Sequence, residues 1–462
     1  MDYDVLVLGG GIIGCAISYE LSKYNLNIAL IEKDYDIADD ISLENTAIVY
    51  DGSEAINEQM AEFEIMGNAM FDKLTKSFNV PFKRVCSLTL AKNQEEKEKI
   101  EQRYKKAIER GIRNIFIVDQ KDIKEIEPNL GEKFLSALYC KNTGVVAPYD
   151  LAIAYAEIAY DNGVSFKLEE VVLDVQKIAK GIRVTTNKNR FTCKMVINTI
   201  EYDNYTIDSN KVIQKKNTYP MTYINLENRF EGRLSNVIFN PTENNKGIKA
   251  VPTLEDGMLV GLCDHEHLDF QKAITGAQGI LHEIKKQEIN SYTKSFVSFD
   301  NITINNNGKG YMKIQGDSYA EITITPAIAS KVSEIVREYL KCVPNKNFIH
   351  KRREFYRFKN MTMEERNDII SHDKRYGKIV CLCNQVTEGE IVDSIRRPLG
   401  ARTVEGVKRR TGASFGSCHG AYCINKIIEI LAREMDKKPI DLVEDSKNSK
   451  VLVGRIKEFD EI

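Results

Sequence analysis

Asp4-Val-Leu-Val-Leu-Gly-Gly-Gly-Ile-Ile-Gly14 is the stretch that decides the fold of this chain. Val5 to Leu8 are four apolar residues in a row, the signature of a strand buried on both faces of a parallel sheet. Gly9, Gly11 and Gly14 follow with the spacing G-x-G-x-x-G. The first glycine permits a tight turn, the second lets backbone approach a pyrophosphate, and the third lets helix pack on strand. A helix over 12–24 would offer the unpaired N–H groups of its first turn, and its dipole, to that anion. A second strand, Asn27 to Ile31, ends in Glu32, placed to accept from ribose hydroxyls. An acid there, rather than an arginine, argues against a 2′-phosphate. These residues predict a dinucleotide site and leave NAD and FAD both open.

Composition narrows the class. The 462 residues suffice for two or three domains with ample core. A net charge of −2 with 29% charged residues makes no electrostatic case for nucleic acid or an anionic membrane surface. No apolar run is long enough for a transmembrane segment. The dinucleotide strand begins so early that no signal peptide is expected, which points to a cytoplasmic protein. Six of the ten cysteines (Cys15, Cys86, Cys140, Cys193, Cys263, Cys342) stand singly among apolar or strand-like neighbours and read as buried thiols.

Outward from the first strand, residues 55–79 carry apolar residues at helical spacing, and 93–111 read as a charged helix with a solvated face. Gly144-Val-Val-Ala-Pro148 precedes an amphipathic helix, and Met195-Val-Ile-Asn198 reads as a strand returning to the first sheet. Residues 212–316 are strand-rich with polar turns, and Pro326 is expected to start a helix through Leu340.

Several stretches together resemble the FAD-dependent dehydrogenases of the D-amino-acid-oxidase superfamily, in particular the iron–sulfur-bearing relatives of anaerobic glycerol-3-phosphate dehydrogenase. They are 9–14 with Glu32, Glu127-Pro-Asn-Leu130, Gly144 to Tyr149, Lys246 to Gly261, and Thr325-Pro-Ala-Ile-Ala329. The resemblance implies FAD bound extended, its adenine near Glu32 and Val171, with Ser42, Asn45 and Thr46 along the pyrophosphate and flavin. It implies oxidation of a C–H bond on a small substrate by hydride transfer, with Tyr50 and Lys246 as candidates on the substrate side.

Four positions depart from the family pattern. Tyr50 stands where a histidine is usual. Thr199-Ile-Glu201 follows Asn198 where Ala-Gly is usual. Thr303 closes a run that usually ends in an anion-clamping arginine, whose bidentate geometry threonine cannot reproduce. Tyr319-Ala-Glu321 replaces a Ser-Pro-Gly. Either Lys246, Lys309 or Lys313 supplies the missing cation, or the site no longer performs the family reaction.

Near the C-terminus, Cys381-Leu-Cys383 is followed after 34 residues by Cys418-His-Gly-Ala-Tyr-Cys423. Two close thiolate pairs suit a [2Fe–2S] cluster or tetrahedral zinc. Thr387-Glu-Gly-Glu390 is a capping box, Thr403 to Thr411 a second helix, and Cys423 opens a third. With Val386 to Ile391 and Thr403 to Thr411, this arrangement resembles the bacterioferritin-associated-ferredoxin-like (BFD-like) domain, which implies the iron–sulfur cluster. His419 reads as a neighbour, not a ligand.

The fold expected is α/β: a Rossmann-like FAD-binding domain, a mixed or antiparallel-sheet substrate domain, and a small all-α [2Fe–2S] domain. The division is 1–80, 145–212 and 305–340 for FAD; 81–144 and 213–304 for substrate; 341–376 as linker; 377–436 for the cluster; and 437–462 as tail. The function expected is dehydrogenation of a small hydroxy acid or polyol phosphate, with electrons relayed through the cluster to an external acceptor. That acceptor would be a redox partner subunit or a quinone-reducing membrane-associated protein. An amino- or imino-acid dehydrogenase of the proline or hydroxyproline type is an alternative. A non-catalytic electron-transfer or assembly subunit is another.

Overall fold

The computed structural model describes residues 1–38, 46–55, 57–200, 203–208, 218–227, 232–241, 247–281, 284–299 and 301–454. Ser42, Asn45, Glu201 and Lys246 lie outside them. Tyr3–Leu8 forms the centre of the first sheet, parallel on one side to Ile28–Ile31 and on the other to Arg190–Asn198. Val5 to Leu8 have no solvent exposure because both faces of the strand are covered. One face packs on helices Ile12–Ser22, Pro148–Asp161 and Glu321–Leu340. The other packs on Val172, Val175, Ile182 and Val184 of an antiparallel hairpin, with Tyr205 and Tyr311. The long strand Arg190–Asn198 forks: its first half pairs with that hairpin, its last three residues with Tyr311–Gln315.

The last of those helices starts at Glu321, five residues before Pro326. The apolar stripe extends upstream through Ile322 and Ile324, both buried. Packing of that extra turn outweighs the backbone hydrogen bond that Pro326 cannot donate.

The second sheet has eight strands in the order 289–298, 218–226, 258–263, 247–252, 237–241, 87–91, 136–140, 115–119. All neighbours are antiparallel except 237–241 with 87–91, so the sheet is mixed. Helix Phe270–Ala277 covers its core, which includes Leu88, Leu90, Ile224, Ile238 and Val260. A three-stranded ribbon of 48–49, 144–146 and 82–84 delivers the chain to Tyr50.

The C-terminal unit has its own core around helices Glu388–Arg396, Val404–Thr411 and Ile424–Met435. Thr387 and Glu390 form the capping box read from the sequence. Ile427, Ile428 and Leu431 face inward, each contributing roughly 1.5–3 kcal/mol of burial. The basic stretch before this unit is no loose tether. Arg352 pairs with Asp150 at 2.9 Å and Glu157 at 2.5 Å, Arg357 with Asp150 at 3.1 Å, and Arg353 with Asp161 at 2.7 Å, strapping the stretch along helix Pro148–Asp161. Arg397 of the C-terminal unit joins Glu157 at 2.9 Å, and Arg410 grips Asp36 with both terminal nitrogens, at 2.5 and 2.7 Å.

Candidate functional site

A cavity of about 490 Å³ opens along the C-terminal end of the first strand. Gly9, Gly11, Gly14, Glu32 and Val171 line one part, and Thr199, Gly316, Asp317 and Glu321 another. The helix start at Gly11 has no side-chain cap, so its N–H groups face the cavity. A Cβ on Gly14 would lie 2.0 Å from the carbonyl oxygen of Gly9, so helix and turn can approach this closely because residue 14 has no side chain. Glu32 is braced by the N–H of Gly10 at 2.6 Å and that of Asp34 at 2.9 Å. Burial raises its carboxyl above the ordinary range, and those two N–H groups pull it back. An uncapped helix start, a glycine turn and a braced acid fit the ADP half of FAD. Thr199 is compatible with them: its hydroxyl donates to Leu8 O at 2.8 Å, in the space that Gly9 leaves by having no Cβ.

A second group of polar side chains gathers where the two sheets meet. Lys249 extends from strand Gly247–Pro252, and its ammonium sits 5.8, 5.7 and 5.4 Å from the ring centres of Tyr50, Phe299 and Tyr319. It donates to the Tyr50 hydroxyl at 3.4 Å. Burial lowers the Lys249 pKa while Glu54 and Glu64 oppose the shift. Tyr50 and Tyr319 meet edge to face at 4.9 Å. The Tyr319 hydroxyl donates to Glu64 at 2.9 Å. Glu54 accepts from Thr89 at 2.8 Å and from Arg103; Asp51 accepts from Ser53 and, at 2.5 Å, from the Cys140 thiol.

The described residues add to the sequence reading at three points. The cation beside Tyr50 is Lys249, whereas Lys309 is exposed and Lys313 is held by the carbonyl of Asp203 at 2.8 Å. Thr303, at the start of a strand, donates to Gln315 O at 3.4 Å. Arg103 lies on the supposedly solvated helix yet turns inward to Glu54. Glu64 and Arg103 each carried a signal: a charged residue on the apolar face of a helix, Glu64 with Met60 and Phe71, Arg103 with Ile100 and Ala107. Thr46, by contrast, is described and hydrogen-bonds Tyr50. Of the six single cysteines, Cys86 and Cys342 are only half-buried.

The four clustered cysteines come together in two pairs. Cys383 and Cys418 hydrogen-bond one another, as do Cys381 and Cys423. Gly416 closes over Cys383, since a Cβ there would meet the Cys383 Cβ at 2.3 Å. Among the described residues no three His, Cys, Asp or Glu side chains converge on a single metal-ion position. Two thiol pairs suit the two irons of a [2Fe–2S] cluster, each taking two cysteines, better than one tetrahedral zinc. Cys381 and Cys423 are buried and Cys383 is exposed. His419, next to Cys418, is exposed, with φ of 48°.

Residues 4–334 match the FAD dependent oxidoreductase family, and 379–433 match the BFD-like [2Fe-2S] binding domain. The chain belongs to the FAD dependent oxidoreductase family and carries a BFD-like module at its C-terminal end. Its cofactors are FAD and a [2Fe–2S] cluster, and it is an oxidoreductase. It is 33% identical to a glycerol 3-phosphate dehydrogenase of Caloramator mitchellensis, over 98% of this chain and 99% of that one. It is 24% identical to a glycerol 3-phosphate oxidase of Mycoplasma pneumoniae, over 74% of this chain and 97% of the other. Among solved structures, the L-alpha-glycerophosphate oxidase of Mycoplasma pneumoniae with FAD bound superposes with a TM-score of 0.67 at 22% identity, over 76% of this chain and 98% of the other. The L-proline dehydrogenase of P. horikoshii gives 0.60 at 17%, over 74% and 94%. No helix among the described residues is long and apolar enough to cross a membrane.

Proposed function

We propose that this chain is a dehydrogenase of a small anionic hydroxy compound, glycerol 3-phosphate or a hydroxy acid of similar size. The observation that carries the reading is Lys249: a cation ringed by Tyr50, Phe299 and Tyr319 in a chain similar over its whole length to a glycerol 3-phosphate dehydrogenase. When bound, FAD supplies a two-electron acceptor and the cluster a one-electron carrier. Gly9, Gly11, Gly14 and Glu32, with Val171, hold the ADP half, and Thr46, Ser42 and Asn45 serve the pyrophosphate and flavin. Lys249 holds the substrate's anionic group, while the aromatic rings exclude water around it; Lys246, the candidate from sequence, lies outside the described residues. Tyr50 orients the substrate hydroxyl.

Electrons leave through the cluster to an external acceptor, either a redox subunit or a quinone-reducing protein at a membrane. Two features support this. The C-terminal unit is held on the dinucleotide-binding part by buried ion pairs, and Leu382 (70% exposed) and Tyr422 (71% exposed) present an apolar surface beside Cys383. Thr303, which cannot clamp an anion as arginine does, favours a second reading, an amino- or imino-acid dehydrogenase. The deciding experiment is anaerobic titration of the purified protein. Glycerol 3-phosphate bleaching the flavin bands supports the first reading, and bleaching by proline or hydroxyproline alone supports the second. A dithionite-reducible flavin that no substrate of either class bleaches overturns both and points to an electron-transfer subunit.

A further inference from the structure

Among the carboxylates between the two sheets, one has unused capacity. Both oxygens of Asp51 are occupied, Oδ1 by Ser53 and Oδ2 by the Cys140 thiol. Both oxygens of Glu54 are occupied, by Thr89 and Arg103. Glu64 projects from helix Glu58–Phe78 with no solvent exposure; its Oε1 takes the Tyr319 hydroxyl at 2.9 Å, and its Oε2 has no partner at hydrogen-bond distance among the described residues, the Gly52 N–H acting on the carboxyl only from nearby. Tyr319 sits two residues from Asp317 on one side and Glu321 on the other, both of which line the dinucleotide cavity. Its ring contacts Tyr50 and Phe299 and lies 5.4 Å from the Lys249 ammonium. A two-atom path, hydroxyl to carboxyl, therefore runs from the pocket that holds Lys249 and Tyr50 to the buried Glu64.

We propose that Glu64 is the proton-holding group of this site and works through the Tyr319 hydroxyl. The inference rests on the oxidoreductase reading above. Converting an alcohol to a carbonyl breaks one C–H and one O–H bond and forms the C=O bond. The hydrogen on carbon leaves with two electrons to FAD, the oxidant, and the hydroxyl proton needs a base. That proton passes to the Tyr319 oxygen as Tyr319 hands its own proton to Glu64, and the carboxyl later releases it to water. Lys249, as an ammonium, has no lone pair, and the Tyr50 oxygen already accepts from both Lys249 and Thr46.

The surroundings set the working range of this carboxyl. Burial, joined by the charges of Asp51 and Glu54 and opposed by the Tyr319 hydrogen bond and the Gly52 N–H, pushes Glu64 up to about 8. Two cations face this pocket, Lys249 and Arg103; the charge of Lys249 favours the carboxylate, while Arg103 is engaged by Glu54 and lies within electrostatic reach of Tyr319.

The test is infrared titration of the FAD-loaded holoprotein, with E64Q and Y319F beside it. Wild type is expected to show the carbonyl stretch of a buried neutral carboxyl near neutral pH, lost as pH rises through about 8. The band should be missing in E64Q and titrate at a different pH in Y319F. A band unchanged in E64Q, or no neutral carboxyl at about pH 6, overturns the proposal. In dye-coupled turnover, kcat should rise through the same pH range. E64Q should lose that limb and about 100-fold of kcat, with KM changing far less. A pH limb kept in E64Q would reduce Glu64 to a packing residue. If no substrate bleaches the flavin, the functional reading fails on that ground alone, and the infrared titration still decides the Glu64 assignment.

Discussion

The contact between Asp36 and Arg410 joins residues 374 positions apart, and its removal has a calculable cost. Arg410 Nη1 donates to Asp36 Oδ2 at 2.5 Å and Nη2 to Oδ1 at 2.7 Å, with side chains only 2% and 4% exposed. Arg410 is also anchored by the carbonyls of Gly406 at 3.1 Å and Leu399 at 2.7 Å, so it arrives preorganised. Among the described residues Asp36 keeps the Ile37 N–H at 2.8 Å once the arginine is gone. Arg410→Met therefore strands a buried carboxylate. The Coulomb term for unit charges at 4 Å is about 4 kcal/mol at an effective dielectric of 20. Removing one partner of a buried pair costs about 3–5 kcal/mol. Asp36→Asn should cost less, because the guanidinium retains two carbonyl acceptors. The double variant Asp36→Leu with Arg410→Met should recover most of the loss, since no charge is left buried. Urea unfolding followed by both cluster and flavin absorbance measures all three. Arg410→Met is expected to separate one coupled transition into two, the C-terminal unit melting first. The backbone N–H of Ala38 bonds to Gly10 O at 2.9 Å, so FAD affinity should fall as well. A cost under about 1 kcal/mol for Arg410→Met, or a double variant no more stable than Arg410→Met alone, would refute this account.

Three further perturbations follow from the geometry. Gly14→Ala should yield protein with little bound FAD, because the added methyl falls 2.0 Å from a backbone oxygen that cannot rotate away; flavin absorbance of the purified variant checks it. Cys383→Ser should abolish the [2Fe–2S] visible and electron-paramagnetic signals while FAD remains, and Cys140→Ser, a thiol bonded to Asp51, should leave the cluster intact. Burial works against the ionised forms of Asp150 and Glu157, yet Arg352, with Arg357 on Asp150 and Arg397 on Glu157, holds both carboxyls below their ordinary values of 3.8 and 4.5. Acids with depressed native pKa stabilise the fold above their unfolded pKa and lose that contribution as pH falls through the native one. The strap and C-terminal unit should thus loosen progressively below about pH 4.5, with Asp393, raised by burial beside Arg397, opposing the trend in part. Small-angle scattering across an acid titration would show the expansion, and a compact particle well below pH 3 would contradict it.

Much of the fold was legible because it is encoded locally. The glycine turn needs only residues 4–14, the capping box only 387–390, and the thiol pairs only their spacing. What escaped depends on contacts between distant strands. Lys249 became the cation beside Tyr50 because strand 247–252 registers against 237–241 and 258–263, and nothing near residue 249 announces that pairing. Arg103 looked solvated because its partner, Glu54, belongs to another element. The family departures show the same limit more sharply. Taken one at a time, a tyrosine at 50 and a tyrosine at 319 read as losses from a flavin site. Together they stack edge to face, and the second one's hydroxyl requires a buried acceptor that a neighbouring helix supplies as Glu64. A buried phenol without such an acceptor costs about 1–3 kcal/mol, and a buried carboxyl without a donor costs more. Each residue thus makes the other tolerable, so Tyr50, Tyr319 and Glu64 are best read as one packed unit and not as three separate side chains.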